Sequence, residues 1–451
     1  MIPSPISEKW NNRALFRLIW PLIIEQLLAV TMGASDTIMV STVGEFAVSG
    51  VNIIDNINNL LIIAFTALSL GGAVVVSQYM GRQDQNNSRL ASKQLVYIVT
   101  MVSIVITVLA LLFRRAVINV IYGNLDDDVM KAAMTYFLIT ALSYPMLAIY
   151  NACASLFRST GNSQVPMRIA LFVNILHIAT NAFLLFVLHF GVGAVALSTL
   201  LDRTVATAIA LVMLIRNQRS PVSLSGIHRV KLIPSMIRRI LNIGIPTGLE
   251  NSMFQFGRLL TQRIFPYFGT GIIAANAVAG VINSFSLQAG NAFAIAILTV
   301  TGQCIGAGDY DAAKKYAVKL VKLTWVSIFV FSGLIFIFRD AMAGFFHLDP
   351  DAHNAAKLFL TIHCVSMALA WTFSFALPNA LRAAGDAKFV MVAAAISMWV
   401  VRVCAAYFLA FVLKIGPAGV WFAMGGDFIT RGISFILRWR SGRWQKMRVI
   451  S

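Results

Sequence analysis

The sequence predicts an all-α integral membrane protein, with twelve transmembrane helices in two six-helix lobes related by a pseudo-twofold axis along the membrane normal. Three observations predict it. Hydrophobic residues make up 58% of the chain and charged residues 12%, whereas soluble domains hold about 45–50% apolar residues. Twelve apolar runs approach the roughly 20 residues that a helix needs to cross a bilayer. Finally, the second half repeats features of the first when the chain is slid along itself by 225 residues.

The runs fall at approximately 15–40, 53–79, 94–120, 134–156, 168–189 and 192–215, then 241–267, 272–302, 320–345, 358–381, 389–411 and 417–437. The first carries Pro21 and, four residues on, Glu25; the seventh repeats this with Pro246 and Glu250. A helical proline bends its helix and frees a carbonyl one turn back, so each pair suits a cavity wall with a carboxylate facing it. The second and eighth runs carry polar residues, among them Asp55, Asn58, Asn276, Asn283 and Asn291. These could line a cleft or bond helix to helix. The same 225-residue frame superimposes Gly44 on Gly269, Gln78 on Gln303, Asp84 on Asp309, Gly191 on Gly416 and Asp202 on Asp427. A frame of 224 pairs Arg158 and Gly161 with Arg382 and Gly385. The expected division is a lobe over 1–215, a basic linker over 216–240, and a second lobe with a basic tail over 241–451.

The net charge of +18, from 36 Lys and Arg against 18 Asp and Glu, is topological. With the amino terminus cytoplasmic, 25 basic residues, Arg229 among them, fall on inner segments and six on outer ones. Arg203, Arg258, Arg263, Arg402 and Arg431 lie within spans. The positive-inside rule then places both termini in the cytoplasm, at a plasma membrane expected to be a bacterial inner membrane. This accounts for the charge without nucleic acid. Cys153, Cys304, Cys364 and Cys404 lie in apolar stretches without metal or redox spacing, the six histidines are scattered, and no phosphate-binding GxxxxGK[ST] loop occurs. An enzyme and an ATP-driven pump are therefore not expected.

Specific motifs then point to a family. Trp20-Pro21-Leu22-Ile23-Ile24-Glu25-Gln26 with Asp36-Thr37-Ile38-Met39-Val40 resembles the first helix of the multidrug and toxic compound extrusion (MATE) family. The turns Arg158-Ser159-Thr160-Gly161-Asn162 and Arg382-Ala383-Ala384-Gly385-Asp386 are similar to the family's Arg-x-x-Gly-Asp turns. Gln78-Tyr79-Met80-Gly81 and Gln303-Cys304-Ile305-Gly306 are similar to its paired loops. The resemblance implies a secondary antiporter that exports organic, cationic or aromatic compounds against inward H+ or Na+, with no other cofactor and no obligatory protein partner, as a monomer in lipid.

Carboxylates inside a membrane are costly and are functional candidates by default. Asp36, among Gly33, Ser35 and Thr37, suits either a proton carrier or the centre of a Na+ site. Carried over by position, the family's amino-terminal cation site resembles Asp36, Asn151, His177, Asn181 and Thr199. His177 and Asn181 share a helix face. His177 replaces an Asn common in the family and titrates near neutral pH, which favours H+ while leaving Na+ open. For substrate, Glu25 and Glu250 are the candidate acids, Asn58 and Asn283 the polar lining, and Tyr144, Tyr150 and Met253 the adaptable wall. Pairing of Glu25 and Glu250 with Arg258 or Arg263 is the competing expectation. Asp202/Arg203 and Asp427/Arg431 are read as pairs that neutralise themselves within their helices. Phe254 and the acid-free stretch Trp371 to Asn379 argue against a second Na+ site in the carboxy-terminal lobe. The alternative function, a flippase for lipid-linked oligosaccharides on a related fold, predicts a cavity rich in Arg and Lys, and the count of five basic residues within spans against the buried Glu and Asp argues against it.

Overall fold

A computed structural model of the chain describes residues 9–123, 125–227 and 231–450, so Arg229 lies outside the described residues. The helices are α1 (Asn12–Ser41), α2 (Glu45–Gly81), α3 (Gln85–Tyr122), α4 (Asp127–Leu142), α5 (Tyr144–Ser159), α6 (Gln164–Val187) and α7 (Val192–Arg216), followed by α8 (Pro234–Gln262), α9 (Thr270–Gly306), α10 (Tyr310–Gly344), α11 (Pro350–Ala383), α12 (Ala387–Val412) and α13 (Ala418–Arg440). Among the described residues, ten helical spans are long and apolar enough to cross a membrane, or eleven when α4 and α5, bent by 46° at Ser143, count as one. Twelve were expected. The shortfall is α8, whose Arg238, Arg239, Glu250, Asn251, Gln255 and Arg258 dilute its apolar content.

Contacts divide the chain into two units, 20–245 and a second made of 1–19 with 246–451. The divisions fall inside α1 and α8, next to Pro21 and at Pro246. In the first unit α2 packs on α3, α4 and α5, while α7 packs on α4, α5 and α6. In the second, α9 packs on α10 and α11, and α13 packs on α11 and α12.

Short-range structure recurs at the 225-residue spacing because the same residues make it. Asp84 and Asp309 cap α3 and α10, accepting from the amides of Asn87 at 3.0 Å and Ala312 at 2.8 Å. Side-chain capping satisfies an amide that the first helical turn leaves unpaired. His189 and Lys414 both turn at positive φ, 53° and 54°. Phe183–Val187 and Phe408–Val412 are both π-helical. The second unit carries two further π stretches, Met367–Ala376 in α11 and Ser397–Cys404 in α12. The latter lies between Gly385 and Gly416, where the repeat frame changes from 224 to 225. A π turn holds one more residue than an α turn, so the added residue is absorbed without breaking the helix.

Candidate functional site

The densest polar cluster of the first unit lies among α1, α6 and α7. The ring of His177, fully buried, sits between two carboxylates. Its Nε2 is 2.5 Å from Asp36 Oδ1, and its Nδ1 contacts Asp202 Oδ2. The Asn181 amide nitrogen lies 3.2 Å from the same Asp36 oxygen, as the shared helix face requires. The carboxylates differ in access, since the Asp36 side chain is 19% exposed and that of Asp202 only 1%.

This gathers three of the five residues expected at the cation site. The other two go elsewhere. Asn151 reaches Thr66 Oγ1 at 3.5 Å, and the Thr199 hydroxyl donates to Val195 O of its own helix at 3.0 Å. The reading of Asp202/Arg203 as a self-neutralising pair is also corrected. Adjacent residues on a helix point about 100° apart, so Asp202 meets His177 while Arg203 donates to Ser143 Oγ at 2.7 Å. Sequence reasoning thus missed Asp202 as a site residue, although its repetition as Asp427 marked it.

A second network lies in the same unit. Tyr144 donates to Asn58 Oδ1 at 2.7 Å, Asn58 donates to Asp55 Oδ1 at 3.2 Å, and Tyr136 donates to the same Asp55 oxygen at 3.1 Å. Asn58 and Tyr144 are therefore buried partners of each other. Tyr150 stands apart, its hydroxyl 3.5 Å from Pro166 O.

Glu25 and Glu250 pair with neither Arg258 nor Arg263. Glu25 binds Arg158 Nη2, and Glu250 binds Arg382 Nη2 at 2.6 Å. Both arginines belong to the glycine turns that close α5 and α11, so each unit ties its proline-bearing helix to the matching turn. A repeated acid together with a repeated arginine was the available signal.

The second unit holds a cavity of 610 Å³. Asn283 lines it, whereas Met253 does not and its neighbour Phe254 does. Arg258 and Arg402 are its charged lining, and no carboxylate lines it among the described residues. Behind Arg402 stands Asp427, 3.6 Å from its Nη1 and 2.9 Å from Arg431 Nε. The Asp427/Arg431 pairing is as expected, with Arg402 added.

A family model described as MatE matches residues 21–183 and 246–408. An uncharacterized transporter, YisQ, of Bacillus subtilis is 28% identical over 96% of this chain and 94% of its own length. A probable multidrug resistance protein, NorM, of Thermotoga maritima is 24% identical over 98% and 94%. Among solved structures, a MATE protein in the bent conformation superimposes with a TM-score of 0.89 at 17% identity, covering 96% of both chains. A MOP superfamily transporter from Pyrococcus furiosus, whose structure is described by a reverse polarity of the binding pocket, reaches 0.90 at 17% identity, covering 99% of this chain and 98% of its own.

Proposed function

Given that the chain belongs to the MatE family, we propose that it is a secondary antiporter that exports small organic compounds in exchange for H+, with Asp36, His177 and Asp202 as the coupling site. The carrying observation is one buried imidazole held between two carboxylates of unequal access. An imidazolium donates from both ring nitrogens and a neutral imidazole from only one. Protonated, His177 therefore makes two charge-assisted bonds. When the proton leaves, one carboxylate faces a lone pair and loses its donor. Asp202 is sealed, so the exchangeable contact is the one to Asp36, and its loss leaves the Asn181 amide as the remaining bond from α6 to Asp36, which loosens α1 against α6. In this way proton occupancy and the position of a helix become one equilibrium.

Na+ would need several oxygens around Asp36. The Asp36 oxygen nearest His177 already faces the imidazole and the Asn181 amide, two groups that would have to turn away from it to admit a cation, so the proposed ion is H+. Of the two expected cargo classes, the arrangement favours aromatic over cationic compounds, because Glu25 and Glu250 are both held by arginine. The two lobes of 1–215 and 241–451, the axis along the membrane normal, the cytoplasmic termini, the inner-membrane location and the monomeric state belong to the same proposal. The relatives named as multidrug resistance proteins support the export reading.

Efflux of a fluorescent aromatic compound from proteoliposomes, under pH and Na+ gradients imposed separately, tests the proposal. Export is expected under the pH gradient alone, and Asp36→Asn is expected to abolish it. Export by the Na+ gradient alone, or an Asp36→Asn protein as active as wild type, overturns the coupling site.

A further inference from the structure

We infer that the cavity of the carboxy-terminal unit is a binding site for aromatic organic anions, a flat ring bearing a carboxylate or sulfonate. Its charge is one-sided. Arg402 and Arg431 share the single carboxylate of Asp427, which also accepts from Ser397 Oγ at 2.7 Å, while Arg258 lines the same cavity with no ion pair to it. The Arg258 guanidinium makes no hydrogen bond or ion pair among the described residues, only the backbone carbonyl of this residue accepting from Thr261 Oγ1 at 2.9 Å. An excess of positive charge inside a protein is felt far more strongly than in water, so an organic cation is disfavoured here and an anion favoured.

The polar groups that would meet the anion are in place and unsatisfied. Arg402 is 7% exposed, its Nε has no hydrogen-bond partner among the described residues and its Nη1 has only the 3.6 Å ion pair with Asp427; both ring nitrogens of His363, 5% exposed, and both side-chain amide atoms of Asn283, 4% exposed, likewise have no hydrogen-bond partner there. Buried polar groups are nearly always hydrogen-bonded, and a guanidinium matches a planar or tetrahedral oxyanion. Of these, the Arg402 nitrogens, the protonated ring nitrogen of His363 and Asn283 Nδ2 can donate to an anion, and all three residues line the same cavity.

The remaining walls suit a ring. Trp371 stacks on Phe375 with centroids 5.5 Å apart and planes 21° apart, and Trp421 and Phe428 add further aromatic surface. Gly290 permits this, because a Cβ there would lie 2.3 Å from the Trp371 ring. Phe254 faces the Arg402 and Arg431 guanidiniums at 5.2 Å each, a contact that stabilises their charge and holds them in position. A cavity of this size accepts a drug-sized molecule.

As a statement about cargo the inference rests on the transporter reading, but as a statement about binding it stands alone. It is therefore tested on the full-length protein in phosphatidylcholine nanodiscs, by tryptophan fluorescence and calorimetry. The probes are 1-naphthalenesulfonate and (1-naphthylmethyl)trimethylammonium, which share a ring and differ in charge. The sulfonate is expected to bind saturably, at least about tenfold more tightly than the ammonium, each tenfold corresponding to about 1.4 kcal/mol. Arg258→Gln, which breaks no internal contact, and Arg402→Lys, which keeps a charge beside Asp427, are each expected to weaken the sulfonate about tenfold. Equal affinity for the two probes, sulfonate binding unchanged in both variants, or a signal that never saturates overturns the site. Competition by phosphatidylglycerol in the nanodisc, undiminished without a ring, assigns the cavity to a lipid headgroup and overturns the aromatic anion. Binding without gradient-driven export would retire the transporter reading and leave the site standing.

Discussion

At one spacing of 225 residues the two units carry corresponding positions with opposite chemistry. Asp36, His177 and Asp202 in the first answer to Thr261, Arg402 and Asp427 in the second. In both, a basic group on the helix before last reaches the Asp of the last helix. The first unit uses imidazole, whose charge changes near neutral pH, and meets it with a second acid. The second uses guanidinium, which never loses its charge under physiological conditions, and has at the position matching Asp36 a threonine, Thr261, whose hydroxyl donates to Arg258 O at 2.9 Å. One scaffold thus supplies a site that can take up and release a proton and another that holds a fixed positive charge toward a cavity. The difference is set by two side chains, the acid at 36 and the base at 402.

The largest effect is expected from making the first unit like the second. His177→Arg keeps a donor between Asp36 and Asp202 and removes the titration, so pH-gradient-driven efflux is expected to fall to that of empty vesicles while the protein remains folded by thermal unfolding in detergent. Efflux retained in this variant breaks the contrast. Next is Asp427→Ala, which strands Arg402 and Arg431 and is expected to cost about 3–5 kcal/mol, as for removal of one partner of a buried ion pair. Asp202→Ala is expected to cost less at high pH, because its partner can be neutral. Equal losses at every pH up to about 11, read from denaturant or thermal unfolding, would show that His177 stays charged and is no switch.

Arg158→Met and Arg382→Met test where the units are alike. Each leaves a buried glutamate unpaired and is expected to destabilise by several kcal/mol, and adding Glu25→Leu or Glu250→Leu to the same protein is expected to restore most of the loss. Full transport by the two double variants, measured by efflux, would assign these pairs to structure alone. The smallest effect is at the matched caps, where Asp84→Ala and Asp309→Ala are each expected to cost about 1 kcal/mol. The side chain and backbone amide of Asn87 hold the Asp84 carboxyl below the usual carboxylate range. A lowered native value contributes stability above the unfolded-state value and loses it as pH falls through the lowered one. Asp84→Asn, still a good cap, is expected to remove that acid dependence and little else.

What could be read from the chain alone was short-range. The apolar runs located the spans, although the fourth, 134–156, is broken at Ser143 into α4 and α5 and the polar residues of α8 made its crossing weaker than counted. The 225-residue frame superimposed the residues that form matched caps and positive-φ turns, because each depends on a few neighbouring residues. His177 and Asn181 could be put on one face with Asp36 in mind, since four residues of helix fix that geometry.

Pairings between helices were decided by tertiary structure. That Glu25 meets Arg158 and not an arginine of the seventh span, that Asp202 turns to His177 and Arg203 to Ser143, and that Arg402 and Arg431 gather around Phe254 all depend on which faces meet. Helical periodicity tells which residues share a face but leaves the rotation and neighbour of each helix open. Those are fixed only when the helices pack, where the cost of an unpaired buried charge selects among the arrangements that hydropathy allows.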